Sequence, residues 1–276
     1  MLPFPIFSPV GDDSLLGIIT ALGLQSNLKL CLDAGDLVSY SGSGQSWLDR
    51  SGGGYDWFRG ADGSATATDP TFNGTAGGLS LSEYWSFDGG DYFTYDTTNE
   101  AWMSNIHKDN AAFTMLFIMY PIAGTSNQRV WSNTNTSSEV GSELLITSSE
   151  TLQFYTTNGS GGYPINKTTD GSVSGSAWQF IAVSLNEATG AGGGFFWRNG
   201  AYMQVSSADT FDSTANTPSS SAATYTTKIG TDGNVANSGF FNNGTRLAGV
   251  AIWEGTRLTK ANLDDLYSRL RGRFGL

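Results

Sequence analysis

From residue 28 the chain alternates with a period of two: Leu28, Leu30 and Leu32 fall on one face, Lys29, Cys31 and Asp33 on the other. That alternation predicts a strand. The same reading predicts strands over residues 113–120, 143–147, 152–156, 178–185, 194–198, 201–205, 226–229 and 247–253, separated by clusters of Gly, Asn, Asp and Ser. Residues 113–120 and 178–185 are apolar on both faces, as expected of strands in the middle of a two-layer sandwich. Asn199-Gly200, between two such runs, predicts a tight hairpin. Residues 208–223, rich in Ser, Thr and Asn with Pro218, predict a surface loop, and no internal repeat is present.

The pattern changes at both ends. Leu263, Leu266, Tyr267, Leu270 and Phe274 recur at helical spacing behind a Thr259 cap, with Leu258 and Leu263 placed as a hydrophobic staple. Residues 15–24 predict a short helix capped by Asp13 or Ser14. Ahead of it Pro3, Pro5 and Pro9 alternate with Leu2, Phe4, Ile6, Phe7 and Val10, which predicts an extended arm too proline-rich for a central strand. Apolar side chains on such an arm need cover, and exposed patches of this kind mark interfaces. The arm, extended by Leu15, Ile18, Ile19 and Leu22 of the helix, is the expected docking surface for another protein or a second copy of the chain. The expected division is residues 1–26 for docking and 27–276 for one β domain.

Composition narrows the class. The chain has 276 residues, 36 of them Gly, with 39% hydrophobic and only 14% charged residues. Ordinary soluble domains carry roughly 25% charged residues, disorder needs high charge with low hydrophobicity, and helical bundles need Ala, Glu, Lys and Leu. The composition is that of an all-β protein. Against 25 Asp and Glu stand 14 Lys and Arg, a net charge of −11 that repels phosphate backbones and excludes nucleic acid as a partner. Arg257, Lys260, Arg269, Arg271 and Arg273 concentrate positive charge near the end, where a solvated helix face is expected. Cys31 is the single cysteine, so an intrachain disulfide is excluded and the core must supply stability. Residues 1–10 lack the basic start of a secretory signal, and the apolar run 15–24 is too short to cross a bilayer. No signal peptide and no membrane insertion are therefore expected.

A series of short motifs carries a resemblance. Leu30-Cys-Leu-Asp-Ala34 and Trp47-Leu-Asp-Arg-Ser-Gly52 are followed by Pro70-Thr-Phe72 and Tyr84-Trp-Ser-Phe-Asp-Gly-Gly-Asp-Tyr92. Next come Phe113-Thr-Met-Leu-Phe-Ile-Met-Tyr-Pro121, Trp178-Gln-Phe-Ile-Ala-Val183, Arg198-Asn-Gly200 and Leu247-Ala-Gly-Val-Ala-Ile-Trp253. Leu258-Thr259 and Leu266-Tyr-Ser-Arg-Leu-Arg-Gly-Arg-Phe-Gly275 close the series. In order and spacing over residues 28–276 this resembles the concanavalin A-like jelly rolls of the laminin G-like family, particularly the bacterial and phage type. The resemblance implies a two-sheet antiparallel jelly roll, and it implies little about activity because one fold hosts lectins, enzymes and inert modules. Trp47, Trp178 and Trp253 are expected in the core. Asp49-Arg50 is expected to form a structural ion pair or to brace a loop. Asp88 and Asp91 are the candidate calcium ligands, in a motif that also makes a plain turn, with Asp232-Gly-Asn234 a second such loop; no other cofactor is expected.

Catalysis has little to work with. The fold also carries glucanases with an E-x-D-x-E strand, and the nearest match is Glu139-Val-Gly-Ser-Glu143, with Gly141 in the central place. On a strand the two acids fall about 13 Å apart at roughly 3.3 Å per residue, beyond the roughly 5–9.5 Å of glycoside hydrolysis; a pair of solvated acids is expected. His107 and Cys31 stand alone of their kind, without a nucleophile elbow or a metal-ligand set. Gly190-Ala-Gly-Gly-Gly194 opens a strand and not a helix, so it is no phosphate loop.

The reading is a non-enzymatic phage virion protein, a capsid decoration, fibre or tail-associated component, whose partners are other virion proteins or further copies of the chain and whose jelly roll faces surface glycans. A bacterial carbohydrate-binding lectin module is the alternative, with a divergent glucanase behind it. Tyr163, Tyr155, Trp131 and Asn133 are the candidate glycan contacts, because aromatic rings stack on sugar faces and amides bond hydroxyls. Tyr163, beside Gly161-Gly162 and Pro164, is the best exposed of them.

Overall fold

A computed structural model describes residues 12–173, 175–189, 193–205, 217–235 and 239–276. The first elements are helix α1 (Leu15–Ala21) and strands β1 (Leu28–Asp33), β2 (Ser46–Trp47), β3 (Trp57–Arg59), β4 (Thr71–Asn73), β5 (Tyr84–Ser86) and β6 (Phe93–Tyr95). Helix α2 (Ala101–Asn105) leads to β7 (Ala112–Tyr120), β8 (Gln128–Ser132), β9 (Val140–Ile146), β10 (Thr151–Asn158) and β11 (Asn166–Ser172). Then come β12 (Gln179–Asn186), β13 (Gly194–Arg198), β14 (Ala201–Met203), β15 (Lys228–Ile229), β16 (Arg246–Glu254) and helix α3 (Lys260–Phe274).

Two eight-stranded sheets face each other. The first runs β14-β13-β12-β7-β16-β5-β4, with β1 also lying along β16; the second runs β11-β10-β9-β8-β15-β6-β3-β2. Every described pairing is antiparallel, for example Val183 opposite both Met115 and Phe196. The expected all-β sandwich is observed. The core between the sheets holds Trp47, Trp57, Trp85, Trp131, Phe113, Phe117, Phe154 and Phe196.

The strands that are apolar on both faces have a more specific cause than a place in a two-layer sandwich. Phe113, Met115 and Phe117 of β7 point into the core between the sheets, while Leu116 and Ile118 join a second apolar cluster with Phe180, Phe195, Trp197 and Trp253. Helices α1 and α3 cover that cluster with Leu15, Ile18, Ile19, Leu263, Leu266, Leu270 and Phe274. The first sheet is thus the middle of three layers. On β16 Leu247 and Val250, three residues apart, both reach the inner core because a bulge shifts the register between Leu247 and Gly249.

Helix α3 is closed at both ends. The Thr259 hydroxyl accepts from Asn262 N while the Asn262 side chain accepts from Thr259 N, and Gly275 ends the helix at φ 64°. The hairpin at Asn199-Gly200 has φ values of 47° and 88°, as its turn type requires.

Several expectations need correction. Arg273 is not on a solvated face: its side chain is 5% exposed and forks onto Asp33, 1% exposed, which also accepts from Leu15 N and Gly35 N. This ion pair ties the start of α1, the end of β1 and the end of α3 together. Leu15, Ile18 and Ile19, expected to extend a docking surface, are buried in the protein's own second cluster, and Leu22 packs half-buried against it. Helix α1 therefore packs against the β domain. Leu2, Phe4, Ile6, Phe7 and Val10 lie outside the described residues, as do 208–216 of the expected loop. Trp178 sits half-buried at the rim, edge-on to Tyr84 and Tyr120, rather than in the core. Arg50 pairs with Asp36, not Asp49, whose carboxylate instead accepts from Cys31 N, Ser51 N and Tyr55 N.

Candidate functional site

The outer face of the second sheet carries one cross-strand row spanning all eight strands. Asn166 lies opposite Tyr155, Tyr155 opposite Glu143, Glu143 opposite Ser132, and Ser132 opposite Lys228. The row continues through Thr94 and Phe58 to Ser46. Because Leu144 and Phe154, the chain neighbours of Glu143 and Tyr155, point into the core, strand alternation turns this row the other way.

At its centre Glu143 is fully buried. Ser132 Oγ donates to its Oε1 at 2.7 Å; Arg129 Nε donates to Oε2 at 3.3 Å, and so does the Tyr155 hydroxyl. Burial raises the Glu143 carboxyl above its ordinary value, against the opposing pull of Arg129. Burial, with the neighbouring Glu143 charge, likewise pushes the Tyr155 phenol up. Arg129 reaches this face through a bulge in β8: it lies opposite Leu145 while Trp131, two residues on, lies opposite Leu144 and turns inward. Further along the row Lys228 is also buried, donating to Gly233 O at 2.8 Å and Thr226 O at 3.2 Å, and burial pulls its ammonium down to about 8.

The expected pair of solvated acids is overturned. Glu143 is enclosed, and Glu139 precedes the strand, where its carboxylate accepts from Asn135 N, Thr136 N and the Tyr225 hydroxyl. Gly141 between them is a packing glycine: a Cβ there would come within 2.5 Å of Asn133 Oδ1 and 2.8 Å of Thr134 Cβ.

The candidate glycan residues separate into two kinds. Trp131 is fully buried between Trp57 and Trp102, and Asn133 is fully buried with Oδ1 accepting from Ser142 N, so neither can touch a ligand. Tyr155 is buried too, but Tyr163 stands over it edge-on, ring centroids 5.6 Å apart at 82°. Tyr163 is 36% exposed and is the one exposed aromatic among the described residues. Its loop is held in shape by Asn158, whose Oδ1 accepts from Ser160 N and Gly162 N, and by Gly159 N and Gly161 N donating to Glu139 O and Ser137 O. The result is a fixed ring at the surface, backed by Tyr155 and the Glu143 cluster.

Asp88 and Asp91 are joined through backbone, Asp88 N donating to Asp91 Oδ2 and Gly90 N to Asp88 Oδ1, each at 2.9 Å. Burial pushes the Asp91 carboxyl up to about 7. Among the described residues no three His, Cys, Asp or Glu side chains gather as a metal site, and no helix is long and apolar enough to cross a membrane. The second acidic loop, at Asp232 and Asn234, takes in the buried Lys228 ammonium through Gly233 O.

No protein-family model matches the sequence, and no curated protein does. Solved structures do. The binding domain of botulinum neurotoxin DC, in complex with SialylT, is 12% identical with a TM-score of 0.59, over 89% of this chain and 52% of that one. A structure of botulinum neurotoxin type C, which enters cells in dependence on interaction with two ganglioside molecules, is 12% identical with a TM-score of 0.55, over 91% and 53%. Trypanosoma rangeli sialidase, captured as a covalent intermediate with 2,3-difluorosialic acid, is 12% identical with a TM-score of 0.52, over 88% and 32%. The chain spans about half the length of the toxin domains and a third of the sialidase, and at such identities the likeness establishes a shared β-sandwich fold.

Proposed function

We propose that the chain is a non-enzymatic, glycan-binding β-sandwich, with the Tyr163 loop as its sugar platform and a phage particle, through a capsid, fibre or tail position, as its setting. The observation that carries the binding reading is the fixed, exposed Tyr163 ring: an aromatic face held in place loses little entropy when a pyranose stacks on it. The solved neighbours support the same class, since one is a toxin binding domain in complex with SialylT and another is a toxin whose cell entry depends on two ganglioside molecules. The absence of turnover is supported by the state of the acids. Glu143 is saturated by three donors and shielded from solvent, and Glu139 is held by two backbone amides and a phenol, so neither stands ready as general acid or base. The particle setting is supported by the proline-spaced apolar segment at residues 2–10 and by the motif resemblance.

Binding is tested on a glycan array with the full chain and Tyr163→Ala. Loss of signal in the variant, with an unchanged melting temperature, supports the platform; unchanged binding removes Tyr163 from the site. Mass spectrometry of purified particles tests the setting, and absence of the chain from them overturns it.

A further inference from the structure

A second feature lies on the other sheet, beyond the edge of α3. Phe195 and Trp197 are two apart on β13 and so share its outer face, about 7 Å from each other at roughly 3.3 Å per residue. A cation rests over each ring: the Arg257 guanidinium 5.2 Å from the centre of Phe195, the Lys260 ammonium 5.0 Å from that of Trp197. Tyr202, half-exposed on the edge strand β14, stands perpendicular to both rings at 5.2 Å. Phe195, Tyr202, Arg257 and Lys260, with Asn186 and Thr256, line an open groove of about 550 Å³.

The charges in this groove are unequally satisfied. Lys260 pairs with Asp264 at 2.7 Å, one turn along α3. Glu254, the other nearby acid, accepts from Asn105 and lines the neighbouring depression. Arg257 has no ion pair and no hydrogen bond among the described residues, although it is half-buried. The Arg257 guanidinium lies over the Phe195 ring and lines the groove, so its fork of donors can take a carboxylate in two bonds. On a chain of net charge −11, this is a local reversal of sign beside an aromatic wall.

We propose that this groove binds an acidic saccharide, its carboxylate on the Arg257 guanidinium and its ring against Tyr202. The site is separate from the Tyr163 platform and does not rest on it. Selectivity follows from charge: a carboxylate takes the unpaired Arg257 fork in two charge-assisted bonds beside Lys260, where a neutral sugar offers only hydroxyl acceptors.

Isothermal titration of the full chain with 3′-sialyllactose and with trigalacturonate tests this and separates the two sources of a sugar carboxylate; lactose and sodium sulfate are the controls. At least one acidic sugar should bind at least about tenfold more tightly than lactose, as expected for a charged hydrogen bond. Arg257→Gln and, independently, Tyr202→Ala should each lose about tenfold with an unchanged melting temperature, and Arg257→Lys should recover part of the loss. Tyr163→Ala should bind as the parent does. Equal binding of lactose, full competition by sulfate, parent-like affinity in Arg257→Gln, or loss in Tyr163→Ala would each overturn the assignment.

Discussion

Replacing Arg129 with Met removes the cation from a carboxylate that solvent does not reach, and the consequence should depend on pH with a definite sign. Glu143 is fully buried, and Arg129 Nε lies 3.3 Å from it. Removing one member of a buried pair costs about 3–5 kcal/mol. The Arg129 side chain is 18% exposed and two hydroxyl donors remain, so the lower end, about 3 kcal/mol, is expected at pH 7. For a domain of this size that lowers the melting temperature by about 6–12 °C. Burial already raises the Glu143 carboxyl above its ordinary 4.5, and losing Arg129 raises it further. A raised carboxyl keeps a proton that the unfolded chain releases, so stability falls as pH climbs from about 4.5 to the folded value. The variant extends that fall to higher pH. Relative to the parent it regains up to about 1.4 kcal/mol per unit on acidification, so its deficit should be smaller at pH 5 than at pH 7. Urea unfolding followed by Trp fluorescence at pH 5 and 7 measures both deficits, and Arg129→Met/Glu143→Gln should lose the pH dependence. A deficit equal at the two pH values, or one that survives Glu143→Gln, would refute the reasoning.

Two further outcomes concern the three-layer packing. Asp33→Asn should cost about 3–5 kcal/mol in the same assay, because it leaves the Arg273 guanidinium buried without its counter-charge. Arg273→Met should cost less, since Asp33 keeps Leu15 N and Gly35 N; equal costs would contradict this account. A chain begun at residue 27 loses the burial of Leu15, Ile18 and Ile19, each worth about 1.5–3 kcal/mol as an upper estimate. It should therefore melt well below the full chain, and a coincident thermal transition by calorimetry would show that α1 is dispensable.

The long strands and α3 were legible because their apolar residues repeat often enough for the period to show. The short strands were not: Trp47, Trp57 and Trp85, three of the largest core residues, sit on strands of two or three residues, where no alternation can be counted. At β8 simple alternation puts Arg129 and Trp131 on one face, and the bulge that separates them leaves no mark in the residue types. Glu143 and Tyr155 alternate like solvated positions, but enclosure depends on which loops fold over them. Their register opposite Ser132 is a property of three strands together. Asp33 and Arg273 meet across 240 positions of sequence, so the basic tail read locally as a solvated face. Tyr163 was legible for a local reason, since its Gly-Gly and Pro neighbours make the loop that exposes it.

The two sheets solve opposite problems, and this locates where ligand chemistry can sit. The first sheet has an apolar outer face that must be covered, and α1 and α3 cover it. At its edge, where α3 begins and β14 ends the sheet, rings and cations come out from under the helices and line a groove. The second sheet has a polar outer row that includes buried Glu143 and Lys228, and buried charges are tolerated only when partners meet them. Its surroundings are therefore constrained: the loops carrying Gly233 O and Thr226 O must reach Lys228, and Ser132 on the neighbouring strand must reach Glu143. Substitutions in those loops should register first as lost stability. Tyr163 and Arg257 differ because the first keeps a third of its surface open and the second keeps its charge unpaired among the described residues. Substitution at these two positions should change binding while leaving the melting temperature in place, the signature that distinguishes a ligand contact from a packing residue.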